Sequence, residues 1–291
     1  MFGTGIFLII TGLIKKAVIS DYISINYVDR IFDNPALYSG VENLLGVYWY
    51  ALQIYCDFSG YSDMAIGIAL LLGFHFNKNF DSPYKSASIT EFWRRWHIFL
   101  SSWLRDYLYI PLGGNRKGKL RTYLNLLTTM TLGGLWHGAS LRFILWGAIH
   151  GVSLSLNKLY LAIIPKNNIL TAVNPYVRKI FGILFTFNLV CLCWIFFRAD
   201  DMGKAINVIN QIFTDFRGEL ILEVVPAYST VFILVLIGYI FHFMPEVIMQ
   251  KCNGWIIRAP HIGKAFLLIL VIWLVVQIRT SEIVPFIYFR F

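Results

Sequence analysis

The sequence predicts an all-α integral membrane protein, a polytopic helical bundle built from about eight hydrophobic runs. Three observations carry that prediction. Hydrophobic residues make up 57 % of the chain and charged ones only 14 %, where a soluble domain averages about 25 % charged. The apolar runs extend from end to end, so residues 1–291 read as a single transmembrane domain although the length would also allow two soluble ones. The net charge of +9 sits between the runs, where positive-inside loops account for it better than nucleic-acid binding does.

Taken in order, the first run is Thr4 to Ile19, with Lys15 and Lys16 near its end. Charge that follows the apolar stretch, with no A-x-A-like site after it, is the wrong polarity for a cleaved signal peptide. A polar loop, Ser20 to Asn43, leads to a second run, Leu44 to Phe58, and a break at Ser59-Gly60 leads to a third, Tyr61 to Phe76. Both fall short of the roughly 20 residues a span needs, so a tight, tilted pair is expected. The stretch Asn77 to Thr122 is polar and basic and contains an amphipathic segment expected to be interfacial or re-entrant. Runs four to six are Tyr123 to Leu135, Leu141 to Ile164 and Val177 to Phe197; a short amphipathic helix, Met202 to Phe213, follows. The last two runs are Ala227 to Phe243 and Ala265 to Ile278. Strict alternation with the N-terminus outside leaves only Arg142, Arg198, Lys204, Arg217, Arg279 and Arg290 of the 25 basic residues on the outer face, an asymmetry that favours eight crossings.

Two stretches hold the candidate chemistry. Thr131 to Ser140, T-L-G-G-L-W-H-G-A-S, puts His137 after Trp136 among Gly133, Gly134 and Gly138. Glycines at that density make an uninterrupted helix costly and permit close approach. An ionisable group at membrane depth is a functional-site hypothesis; a packing histidine bonded to a carbonyl is the structural alternative. In Thr90 to Leu112, Phe92, Trp96, Phe99, Leu100, Trp103 and Tyr107 recur at helical spacing. Arg94, Arg95, Ser101, Ser102, Arg105 and Asp106 fall largely opposite, with Thr90 or Ser88 as N-cap. That basic face either rests in the membrane interface or meets an anionic cytoplasmic partner, such as a coenzyme A, phosphopantetheine or carrier-protein surface. His97 lies beside the aromatic stripe.

Asp57 and Asp63 flank F-S-G-Y-S. They read as a cation-binding or histidine-orienting pair, or as helix caps, Asp63 in particular preceding run three. His150, beyond His137 on run five, either shares its cavity or packs; His75, His242 and His261 read as interfacial. Cys56, Cys191 and Cys193 lie in apolar runs without metal-ligand spacing, so no metal site is expected. There is no G-x-S-x-G, H-E-x-x-H, P-loop or G-x-G-x-x-G. Serine and zinc chemistry are unsupported, leaving a histidine base in a dry aromatic site.

Y-C-D-F-S-G-Y-S-D-M-A-I-G (Tyr55 to Gly67), F-W-R-R-W-H-I-F-L-S-S-W-L-R-D-Y-L-Y-I-P-L-G-G (Phe92 to Gly114) and G-G-L-W-H-G-A-S (Gly133 to Ser140) resemble the membrane-bound O-acyltransferases. Within them the likeness is to the alginate O-acetylation branch, which W-I-F-F-R-A (Trp194 to Ala199) and F-I-Y-F-R-F (Phe286 to Phe291) also fit. That resemblance implies His137 as the catalytic histidine and His97 as a second functional one, both at a central tunnel. It implies a cytoplasmic acyl thioester as donor, acetyl-CoA or an acyl carrier, with no tightly bound cofactor. It further implies a multi-pass protein of the bacterial inner membrane, a hydroxyl acceptor on an exported polysaccharide, and a periplasmic partner. An F-P-x-x-x-A-G-P-I segment expected upstream is not found, so the chain reads as the C-terminal two thirds of a longer fold.

A histidine suits that chemistry, because a base with a pKa near ~6.5 is matched to neutral pH. His137 is expected to deprotonate the acceptor, with His97, Trp136 and backbone amides around the thioester. Trp136, Trp96, Arg94, Arg95 and Asp57 form the expected substrate-binding set. The competing readings are a proton-coupled transporter or flippase-like subunit, and an inactive fragment of the acyltransferase.

Overall fold

The computed structural model describes residues 1–163, 174–278 and Phe286. Among these the chain is all-helical, without a strand. The principal helices are α1 (Phe2–Asp33), α2 (Gly40–Leu71), α3 (Ile89–Arg95), α4 (Ile98–Leu104), α5 (Lys119–His137) and α6 (Leu141–Ile163). They continue with α7 (Pro175–Arg198), α8 (Met202–Thr214), α9 (Ile221–Ala227), α10 (Ser229–Phe243), α11 (Glu246–Arg258) and α12 (His261–Ile278). Three described helices, α1, α7 and α12, are long and apolar enough to cross a membrane; the bent pair Gly218–Ala227 and Ser229–Phe243, at 96°, makes a fourth if it is one span. Apart from Phe286, the F-I-Y-F-R-F tail lies outside the described residues. The chain divides into two compact units, residues 1–78 with 206–291, and residues 79–205.

In the first unit α1 and α2 run antiparallel along a glycine seam. A Cβ on Gly5 would meet the Gly67 carbonyl at 2.9 Å, and one on Gly12 the Gly60 carbonyl at 2.6 Å. Small residues let two backbones touch where no hydrophobic force separates helix from lipid. The seam continues in polar contacts: Ser20 Oγ donates to the Gln53 carbonyl (3.1 Å) and Gln53 Nε2 to Ser24 Oγ (2.8 Å). This overturns two expectations. The segment after Ile19 is not a loop, because α1 continues to Asp33 through π-type turns at Ile14–Ser20 and Ser24–Val28. Runs two and three are not a pair either. Ser59-Gly60 lies inside one 32-residue helix, opened by a Ser39/Glu42 capping box. Gly60 is a close-approach residue against Gly12, not a breaker. Tyr239 of α10 donates its hydroxyl to the Tyr48 carbonyl of α2 (2.7 Å), and Val271 of α12 packs with Ile6 and Ile10 of α1. The α11 helix lies between the last two apolar runs, and it has no buried residue to give it a periodic apolar signature.

In the second unit α5 and α6 form a hairpin on a second glycine seam. A Cβ on Gly134 would meet the Phe143 carbonyl at 2.2 Å, and one on Gly147 the Met130 carbonyl at 2.3 Å. The glycine-dense stretch therefore stays helical through Gly133 and Gly134 and ends only at Gly138. The α7 helix closes on α6, where Arg142 Nη1 donates to the Phe197 carbonyl (2.9 Å).

Candidate functional site

The expected single amphipathic helix over Thr90 to Leu112 is two short helices. Ser88 caps α3, its Oγ accepting from the Glu91 N–H (3.2 Å), and α3 ends at Arg95. His97 then adopts a left-handed backbone, φ 42°, and α4 starts at Ile98. Histidine is among the few non-glycine residues enriched there, but the conformation still costs about 1–3 kcal/mol and must be held from outside. Asn79 holds it. Its carbonyl accepts from the Ile98 N–H (2.9 Å), and its side-chain Oδ1 accepts from the Phe99 N–H (3.1 Å) and faces His97 Nδ1 (3.1 Å). The break divides the aromatic stripe. Phe92 and Trp96 are buried, whereas Phe99, Trp103 and Tyr107 are exposed.

His137, the last residue of α5, is 9 % exposed and enclosed by rings. Trp146 lies edge-on at 5.3 Å between centroids, Phe197 at 5.1 Å, Phe143 at 6.1 Å and Trp136 at 5.0 Å. His137 and His97 lie within electrostatic reach of one another. Burial pushes the His97 imidazole down to about 4, so that ring is neutral near pH 7. Trp146 sits 4.9 Å from His150, which is wholly buried and accepts at Nδ1 from the Trp93 indole N–H (3.2 Å). That bond puts the proton of neutral His150 on Nε2. Neither His150 Nε2 nor Trp146 Nε1 has a hydrogen-bond partner among the described residues. A buried donor left unpaired costs about 1–3 kcal/mol, so such groups mark places where a polar atom is wanted.

Of the other expected residues, Trp96 is packed between Phe92 (5.7 Å, stacked), Phe80 and Trp194 (5.0 Å each). Arg95 is spent on Glu91 (2.9 Å) and on the carbonyl of Asp81 (3.1 Å), whereas Arg94 is exposed. Trp136 is 60 % exposed. Asp57 belongs to the first unit, where it is buried in an ion pair with Lys16, which also reaches Asp21 (2.8 Å). Asp63 is not a cap. It pairs with Lys15 at 2.6 Å, inside α2 and about two turns from its end. Asn79 and Trp146 were not singled out in the sequence; each looks there like one more loop amide or apolar-run aromatic. A cavity of about 850 Å³, lined in part by Ser88, Leu156, Asn157, Arg178 and Phe185, touches none of His97, His137 and His150. Among the described residues no cluster of three His, Cys, Asp or Glu side chains is placed to hold a metal ion.

Comparison with known proteins follows the same residues. The family signature described as MBOAT, membrane-bound O-acyltransferase family, matches residues 1–197. The chain is 51 % identical over 205 residues to a probable alginate O-acetylase AlgI of Pseudomonas fluorescens, covering 70 % of this chain and 39 % of that protein. It is 43 % identical over 206 residues to a peptidoglycan O-acetyltransferase of Helicobacter pylori, covering 71 % and 38 %. To a teichoic acid D-alanyltransferase of Streptococcus thermophilus it is 32 % identical over 206 residues, covering 65 % and 50 %. The chain thus spans half or less of each relative's length, and the shared region holds α1 to α7, with both glycine seams and the ring-enclosed histidine. The chain belongs to the membrane-bound O-acyltransferase family.

Proposed function

We propose that this protein is an O-acyltransferase, moving an acyl group, most simply acetyl, from a cytoplasmic thioester to a hydroxyl of an exported polysaccharide. His137 is the general base. The acceptor oxygen attacks the thioester carbonyl carbon while His137 takes the hydroxyl proton. The tetrahedral oxyanion then collapses, the carbon–sulfur bond breaks, and the thiolate leaves with the proton from His137. The products are an ester and a free thiol.

The observation that carries this reading is the W-H-G histidine, buried at a helix end inside a box of four aromatic rings. Water exclusion there strengthens every polar interaction with the reacting atoms. His97 and Trp136 flank the reacting groups. The unpaired Trp146 N–H is the donor suited to the oxyanion, because it is already desolvated and needs no reorganisation to act. Exposed Arg94 meets the anionic donor. The names of the relatives, which act on alginate, peptidoglycan or teichoic acid, support a polymer acceptor. The membrane setting proposed with this activity is a single functional multi-pass domain with a central tunnel. It lies in the bacterial inner membrane beside a periplasmic partner protein.

The test is transfer of radiolabelled acetyl in membranes containing the full-length protein or His137→Ala. A positioned base contributes about 10²–10⁴-fold, so the variant should lose at least 100-fold in rate at unchanged protein level. Full activity in His137→Ala would remove the general-base assignment.

A further inference from the structure

We propose that Asn79 is a positioning residue that holds His97 in its Nδ1–H tautomer, so that His97 Nε2 offers a lone pair and does not donate to the oxyanion. The argument begins at Asn79 Oδ1. That atom accepts from the Phe99 N–H at 3.1 Å, which fixes the amide orientation: a flipped Asn79 would set its NH₂ against a backbone donor. The same oxygen stands 3.1 Å from His97 Nδ1. A carbonyl oxygen has two lone pairs, and two acceptors at that distance repel, so Nδ1 must bring the hydrogen. The competing arrangement, with Nδ1 accepting from the Leu100 N–H, spans 3.4 Å, beyond the usual range for such a bond. The carbonyl of Asn79 adds a third tie through Ile98 N–H (2.9 Å). The residue that fixes the tautomer therefore also holds the left-handed backbone at His97.

The consequence concerns roles. A neutral ring protonated at Nδ1 has only a lone pair at Nε2, and burial keeps it neutral near pH 7. While the acceptor hydroxyl's own hydrogen goes to His137, such a ring accepts one hydrogen bond at Nε2. It cannot stabilise a developing negative charge, which leaves that task to a donor such as Trp146. Charged and titratable groups on neighbouring elements include His137 at the end of α5 and Arg95 of α3 with its partners Glu91 and Asp81. The side chain of Arg95 is already neutralised by those partners. Asn79 is the group that touches the His97 ring at Nδ1.

This inference rests on the acyl-transfer reading for its role but not for its geometry, and the experiment separates the two. Full-length protein carrying ¹⁵N-histidine is examined in membranes by NMR, with His97→Gln assigning the resonance. Transfer is followed as a function of pH in the parent, Asn79→Asp and Asn79→Ala. The expected spectrum has His97 protonated at Nδ1 in the parent and mixed between tautomers in Asn79→Ala. Asn79→Asp keeps both acceptor contacts and adds a negative charge at the ring, so the acid limb of its pH–rate profile should move up by about 1 unit or more. A merely structural Asn79 would leave that limb in place. A parent spectrum with the proton on Nε2, or an Asn79→Asp profile superposing on the parent's, would overturn the inference. Parent protein inactive in transfer, yet protonated at Nδ1, would sink the proposed function and leave the positioning role standing.

Discussion

Replacing Gly134 by alanine asks whether the α5–α6 seam sets the geometry around His137. A Cβ at residue 134 would stand 2.2 Å from the Phe143 carbonyl oxygen and 3.1 Å from its carbon. Carbon–oxygen contacts bottom out near about 3.3 Å, so the two helices must part by about 1 Å. The atom in the way is backbone, not the end of a flexible side chain, so no rotamer change relieves it. Overpacking of that kind costs about 1–3 kcal/mol, against which alanine returns about 1 kcal/mol of helix propensity. The net expectation is destabilisation of up to about 2 kcal/mol. The effect on rate should be larger. Phe143 and Trp146, which both border His137, ride on α6, and a misplacement of about 1 Å can cost on the order of 10²-fold. Thermal unfolding in detergent and acetyl transfer in membranes would be measured together. Gly254→Ala is the control, since Gly254 sits in α11 with nothing within 4 Å of the added Cβ. That variant should gain about 0.5–1 kcal/mol and keep full activity. If Gly134→Ala behaved like Gly254→Ala, the seam would not be setting the site.

Trp146→Phe keeps the ring and deletes the N–H; loss of one oxyanion donor should lower kcat by about 10²–10³-fold with little change in KM, and a change confined to melting temperature would assign Trp146 to packing alone. Asp57→Ala strips a buried pair from Lys16, costing about 3 kcal/mol, the lower end of the usual range because Lys16 keeps Asp21. The double variant Lys16→Met, Asp57→Leu should recover stability and transfer; recovered stability with a raised KM would instead make Asp57 a substrate ligand. The pH dependence has a fixed sign. His97 titrates at about 4 in the folded protein and near about 6.5 when unfolded, so between those values the unfolded chain binds more protons. Its contribution to stability is therefore complete above pH ~6.5 and is lost as the pH falls towards 4. The melting temperature of the parent should fall relative to that of His97→Gln as the pH drops from 7.5 to 5, and an unchanged difference would refute this.

What the sequence could disclose follows from where each cause lies along the chain. The W-H-G and R-R-W-H blocks were legible because identity and spacing within ten residues carry them. The amphipathic α8 was legible from its own helical periodicity, and α7 from its long unbroken apolar run. The misread elements have causes that lie far off. Gly60 resembles a breaker until Gly12 is known to lie against it, and Asp63 resembles a cap until Lys15, 48 residues upstream, takes its carboxylate. The stripe from Phe92 to Tyr107 has perfect local spacing for one helix, and local spacing lost. Asn79, 18 residues before His97, offers the amides of Ile98 and Phe99 acceptors that a continuous helix would have supplied from its own preceding turn. Breaking the helix there turns the His97 ring back onto Asn79 and leaves Trp96 in the core, whereas a continuous helix would have placed both on one interfacial surface. The strained residue and the residue the motif points to are the same one. A local rule broken there, and held broken by an external tie, is what the role proposed for His97 requires, since that role needs fixed geometry.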